Sequence, residues 1–148
     1  VLTKPMGIKE EPLHQTEREN RYSGKKILLV EDNGLNREIA TALLEEIGII
    51  VDSVGDGTDA VERMNEVDDD RYDLIFMDIQ MLKMDGYTAT RKIRSLERSD
   101  AKTIPIIAIT ANAFQEDAEK CIAVGMNAHL AKPLDIEKMK KTIKSICS

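Results

Sequence analysis

The sequence predicts an α/β fold, a parallel sheet with helices on both faces. Three observations carry that prediction. Five short apolar segments alternate with five segments of helical period. The clearest apolar segments are continuous rather than alternating, as strands buried on both faces must be. Polar residues able to do chemistry stand just after several of them, where sheets of this kind bind their ligands.

The elements follow in order. Ile27-Leu28-Leu29-Val30 is a continuous apolar run and predicts the first strand. Leu35, Ile39, Leu43 and Ile47 recur every four residues and predict an amphipathic helix closed near Gly48. Ile49 to Val54 predicts a second strand, followed by a Gly55-Asp56-Gly57 turn. Ala60, Val61, Met64 and Val67 mark a second helix, and Leu74-Ile75-Phe76-Met77 a third strand. Asp85-Gly86 turns the chain into a helix carrying Tyr87, Ala89, Thr90, Ile93 and Leu96. Ile104 to Ile109 predicts the fourth strand. Phe114, Ala118, Cys121 and Ile122 lie on a fourth helix that ends at Gly125. Ala128 to Ala131 is a short fifth strand, and Ile136, Met139, Ile143 and Ile146 a fifth helix.

Composition narrows the function. The 148 residues suit one domain, with 42% hydrophobic and 32% charged residues. There is no Trp, and Tyr and Phe number only 3 and 2, too few for a base-stacking surface. The net charge of -6 repels phosphate backbones, so no nucleic-acid partner is expected. No apolar run approaches the roughly 20 residues of a membrane span. Cys121 and Cys147 fit no metal-ligand spacing and predict reduced packing thiols in a cytoplasmic protein. Residues 1–24 hold Pro5 and Pro12, balanced charges and no apolar period, and read as a linker or disordered tail. Residues 25–148 form the domain.

Glu31-Asp32 end the first strand, Asp78 the third and Thr110 the fourth; Lys132-Pro133 follows the fifth. Each has a plain reading when taken alone. Asp32-Asn33 suits a helix cap, Thr110 an ordinary strand position and Lys132-Pro133 a turn. Together they would face one crevice. Crowded carboxylates repel and raise each other's pKa unless a cation joins them. Oxygen ligands suit a hard divalent ion such as Mg2+. Lys132 offers a point charge to a phosphoryl oxygen, Thr110 offers a hydroxyl, and an Asp carboxylate can itself attack phosphorus.

The stretches Ile27 to Asn33, Asp73 to Met81, Met84-Asp85-Gly86, Ile104 to Ala111 and Ala131-Lys132-Pro133 resemble the response-regulator receivers of two-component signalling. Asn36 and Arg37, Thr110 to Asp117, and Gly125 to His129 are most similar to receivers of hybrid sensor histidine kinases. The resemblance implies a flavodoxin-like doubly wound sheet of strand order 2-1-3-4-5 with five helices. It implies Asp78 as phosphoacceptor. Mg2+ would bind Asp32, Asp78 and the backbone carbonyl of Gln80, with Glu31 reaching it through water. Lys132 would contact a phosphoryl oxygen, and Thr110 would follow the phosphate as a switch. Gln80 and Asn112 would flank the path of the hydrolytic water and tune the phosphate lifetime. The donor would be a histidine kinase or a histidine phosphotransfer domain.

Two departures from the family pattern stand out. Leu82 replaces the usual Pro, which leaves its loop a less restricted φ. His129 occupies the place of an aromatic switch residue, where an imidazole is shorter and titrates near neutral pH. Other classes fit less well. A haloacid-dehalogenase-type phosphatase needs a second Asp where Gln80 stands, and a flavodoxin needs a Ser/Thr/Gly-rich first loop where Glu31-Asp32-Asn33-Gly34 stands. A pseudo-receiver would have a broken site, and the phosphate-cradling G-x-x-x-x-G-K-[ST] loop is absent. The expectation is a receiver that takes up and slowly loses a phosphoryl group without being a turnover enzyme. A first residue other than Met, and the lack of an output domain after Ser148, suggest the C-terminal receiver of a hybrid kinase. A stand-alone regulator is the alternative.

Overall fold

The computed structural model describes residues 22–66, 72–111 and 115–147. Five strands form one parallel sheet of order β2-β1-β3-β4-β5. They are β1 (Lys26–Val30), β2 (Ile50–Val54), β3 (Leu74–Asp78), β4 (Ile106–Thr110) and β5 (Ala128–Ala131). Between and after them run α1 (Gly34–Glu46), α2 (Gly57–Glu66), α3 (Gly86–Arg94), α4 (Ser99–Thr103), α5 (Gln115–Val124) and α6 (Ile136–Cys147). This is the flavodoxin-like topology, with the strand order that the resemblance implied.

The central strands explain their own composition. β3 and β4 are buried at every position, so neither face tolerates a polar side chain until the last residue. Within β1 the side chains still alternate. Leu28 and Val30 pack with Ile75, Met77 and the helices α2 to α5 on one face. Ile27 and Leu29 pack with Phe76, Ile107 and the helices α1 and α6 on the other. Tyr22, just before the body read from the sequence, is buried in this second cluster and donates its hydroxyl to the Lys140 carbonyl at 3.2 Å.

The sequence predicts five helices; the described residues hold a sixth, α4, only 5 residues long. One turn and a half buries only Ala101, so there was no period to read. The inner face of α1 also differs from the predicted one. Ala40 and Leu44 face the sheet, while Leu35 and Ile39 are 66% and 49% exposed. A four-residue apolar spacing drifts around a 3.6-residue helix, and small Ala40 escaped notice beside bulkier Ile39. Strand four begins at Ile106 rather than Ile104, because Pro105 has no N–H to give the ladder. Ile122 on α5 is exposed. Val67, Asn112 and Phe114 lie outside the described residues. Among the described residues, no helix is long and apolar enough to cross a membrane.

Candidate functional site

The sheet register assembles the site. Val30 pairs with Met77, so Glu31 and Asp78 follow side by side. Asp78 pairs with Ile109, which puts Thr110 one residue further along. Thr110 pairs with Ala131, and Lys132 comes next. Parallel strands in this order therefore bring all of these residues to one carboxyl edge, although they are up to 101 positions apart in the sequence.

Glu31, Asp32 and Asp78 each present a carboxylate oxygen, and the three oxygens lie within 4.8 Å of one another. Lys132 Nζ stands 3.3 Å from Asp78 Oδ2 and 3.6 Å from Glu31 Oε1. Main-chain donors fix one further oxygen on Asp78 and one on Asp32. The Gln80 N–H donates to Asp78 Oδ1 at 3.1 Å, and the Leu82 N–H donates to Asp32 Oδ2 at 3.1 Å. Asn33 caps α1 by accepting the Asn36 N–H at 3.0 Å. That leaves Asp32 for the site, and settles which of the pair is the cap.

Glu31 is the strained member. It is buried, and neither of its carboxylate oxygens has a hydrogen-bond partner. Burial first, then the neighbouring Asp78 carboxylate, push its pKa up to about 7, with Lys132 offsetting part of the rise. Such crowding of hard oxygen donors fits a hard divalent cation, which would remove the repulsion. Buried Asp78, with one oxygen held by an N–H and the other facing an ammonium, is placed to act as a nucleophile toward an electrophile bound at the same cation.

The remaining expected residues divide. Thr110 is buried at the end of β4, on the same edge. Gln80 is exposed in the loop after β3. His129 is half-buried within β5 opposite Ala108, three residues before Lys132 and outside the acid cluster. Asn112 lies outside the described residues. Gly86, which the sequence places both in a turn and in a stretch that carries the family resemblance, packs tightly against the site. A Cβ at Gly86 would lie 2.5 Å from the Asp78 carbonyl oxygen and 2.8 Å from Ile79 Cα. The Gly86 N–H donates to the Ile79 carbonyl at 2.9 Å, so α3 begins directly against the backbone of Asp78. The Asp-Gly pair was the available signal, but a turn explained it equally well.

Comparison with known proteins agrees with this geometry. The response regulator receiver domain family matches residues 27–144. A hybrid signal transduction histidine kinase L of Dictyostelium discoideum is 43% identical over 120 residues, which cover 80% of this chain and 7% of the kinase. A probable histidine kinase 2 of rice is 38% identical over 144 residues, covering 90% of this chain and 14% of that protein. The chain thus spans a small part of these curated relatives. Among solved structures, the receiver domain of a Pseudomonas aeruginosa sensor histidine kinase, with magnesium coordinated in its active-site cleft, is 42% identical. It superposes with a TM-score of 0.75, covering 84% of this chain and 98% of that one. The receiver of an Arabidopsis thaliana histidine kinase, complexed with Mg2+ and BeF3-, is 35% identical with a TM-score of 0.77, covering 88% and 94%. Matched by the family over residues 27–144 and by relatives of 38% and 43% identity, the chain belongs to the response regulator receiver domains of two-component signalling.

Proposed function

We propose that Asp78 is the phosphoacceptor of this receiver and that its donor is a phosphohistidine on a histidine kinase or a histidine phosphotransfer domain. A carboxylate oxygen of Asp78 forms the new O–P bond as the P–N bond breaks, and the imidazole leaves. Lys132 holds a phosphoryl oxygen and neutralises part of its charge. Asp32, Asp78 and the Gln80 carbonyl would hold Mg2+, with Glu31 acting through water. When bound, the ion offsets the charge that three carboxylates and a phosphoryl group bring together. Thr110 and His129 respond to the new phosphate, and Gln80 and Asn112 govern how fast water removes it. The residues before Tyr22 link this domain to the rest of a hybrid histidine kinase working in the cytoplasm, Tyr22 itself belonging to the core.

The observation that carries this reading is the cluster of three acid oxygens within 4.8 Å, with Lys132 Nζ 3.3 Å from Asp78. The test is incubation with Mg2+ and acetyl phosphate, followed by intact-mass measurement. The wild type should gain one phosphoryl group, and Asp78→Asn and EDTA-treated protein should gain none. Undiminished labelling of Asp78→Asn would reject Asp78 as the acceptor.

A further inference from the structure

β1 pairs with its neighbours only as far as Val30. Beyond it the chain turns into α1 within a few residues, and the Glu31 and Asp32 carboxylates must stay on the site while it does. The Glu31 N–H reaches back to the Val54 carbonyl at 3.2 Å. Among the described residues, no backbone N–H reaches the Glu31 carbonyl in return. Arg37, one turn into α1, fills that role, its Nη1 donating to the Glu31 carbonyl oxygen at 3.2 Å.

The place for this guanidinium is made by a glycine. A Cβ at Gly55 would lie 2.9 Å from Arg37 Nη1 and touch nothing else within 4 Å. The same groove, of about 470 Å³, is lined by Asp59, Glu62 and Glu66 and also by the cationic Arg63. Yet the Arg37 side chain bonds the Glu31 carbonyl, and among the described residues it makes no ion pair. An arginine that passes over carboxylates to hold a main-chain oxygen acts through its geometry rather than its charge.

We infer that Arg37 is a positioning residue for the metal site, holding the Glu31 main chain so that the Glu31 and Asp32 carboxylates stay in reach of Asp78. The inference rests on the reading that these three acids take Mg2+. Its sign sets it apart from a purely electrostatic role. A cation beside an acid cluster competes with the metal, so deleting it for its charge alone would tighten Mg2+ binding. Deleting a positioning residue weakens it.

The test is a Mg2+ titration of the full 148-residue chain, unphosphorylated, by calorimetry and by amide shifts. The proteins are wild type, Arg37→Met, Gly55→Ala, their double variant and Asp32→Ala. Gly55→Ala leaves the net charge unchanged and moves only the end of a flexible side chain, so it folds whether or not Arg37→Met does. Arg37→Met and Gly55→Ala should each weaken Mg2+ binding about tenfold, as loss of an outer support does. The double variant should be no weaker than the worse single one, because both remove one contact. The Glu31 and Asp32 amides should shift in the metal-free single variants. Unchanged or tighter binding by Arg37→Met or Gly55→Ala, while Asp32→Ala loses Mg2+, would overturn the role of Arg37. Binding by Asp32→Ala equal to wild type would instead overturn the metal reading itself, and this inference with it.

Discussion

Asp78 keeps its two carboxylate oxygens in different company, one with the Gln80 N–H and one with Lys132. That division sets what single substitutions should do. Lys132→Met removes the ammonium 3.3 Å from Asp78, and with it the charge-assisted contact proposed for the incoming phosphoryl group, worth about 1.5–3 kcal/mol. Uptake from acetyl phosphate should slow about 10- to 100-fold, as measured by initial rates, while the protein stays folded. A rate within twofold of wild type would remove Lys132 from the chemistry. Gln80→Ala and Asn112→Ala should change the decay of the aspartyl phosphate more than its formation, and equal half-lives in all three proteins would contradict that. Glu31, Asp32, Asp78, Thr110 and Lys132 were all legible in the sequence, because each ends or follows an apolar run and a carboxylate there needs partners. Arg37 was legible only as part of a family resemblance. Its partner is a main-chain carbonyl, and no residue type in the sequence marks that.

Between elements, the tightest constraint is where α3 starts. Gly86→Ala would drive a methyl into the backbone of Asp78 and Ile79 rather than into a movable side chain. The cost should be at least about 1–3 kcal/mol, read from a urea midpoint, with slower phosphoryl uptake as the loop after β3 shifts. A second tie joins β2, α2 and the approach to β3. Arg63 and Tyr72 both donate to Asp52 Oδ2. Burial alone would raise the Asp52 pKa, but these two hydrogen bonds outweigh it and hold the pKa below the ordinary 3.8. Unfolding releases the proton affinity that folding suppresses. The stabilisation is therefore complete above the ordinary carboxylate value and is lost as the pH falls below it, through the lowered folded value. Asp52→Asn should cost about 1 kcal/mol at pH 7 and flatten the decline in stability between about pH 4 and pH 2. Parallel acid limbs for wild type and variant would exclude Asp52 as the source. None of this tie was legible in the sequence, since Asp52 and Arg63 sit in different elements and Tyr72 in the loop before β3.

For the whole molecule, phosphorylation is a bias between two packings of one fold. The phosphate adds a charge of roughly -1.5 to -2 at the sheet's edge, where Thr110 ends the strand next to the one that carries His129. The response should therefore concentrate in α5, β5 and α6, and spare α2. Amide shifts on adding beryllofluoride and Mg2+ would show it, with His129→Tyr altering their size on β5 and α6. Shifts spread evenly over all helices would argue against a local switch.

The alternation of strand and helix, the apolar strands and the acids, hydroxyl and ammonium at their ends could all be read from residue order alone. These are local properties, set by period and by the cost of burying polar groups. Tertiary structure alone decided the rest. Register placed Lys132 against Asp78, and crowding with burial raised Glu31 to about 7. Packing turned Leu35 and Ile39 outward and drew Tyr22 into the core. Close approach made Gly86 and Gly55 the gaps into which Asp78's backbone and Arg37's guanidinium fit. Each of these depends on distances between residues far apart in the chain, and a one-dimensional pattern holds no record of such distances.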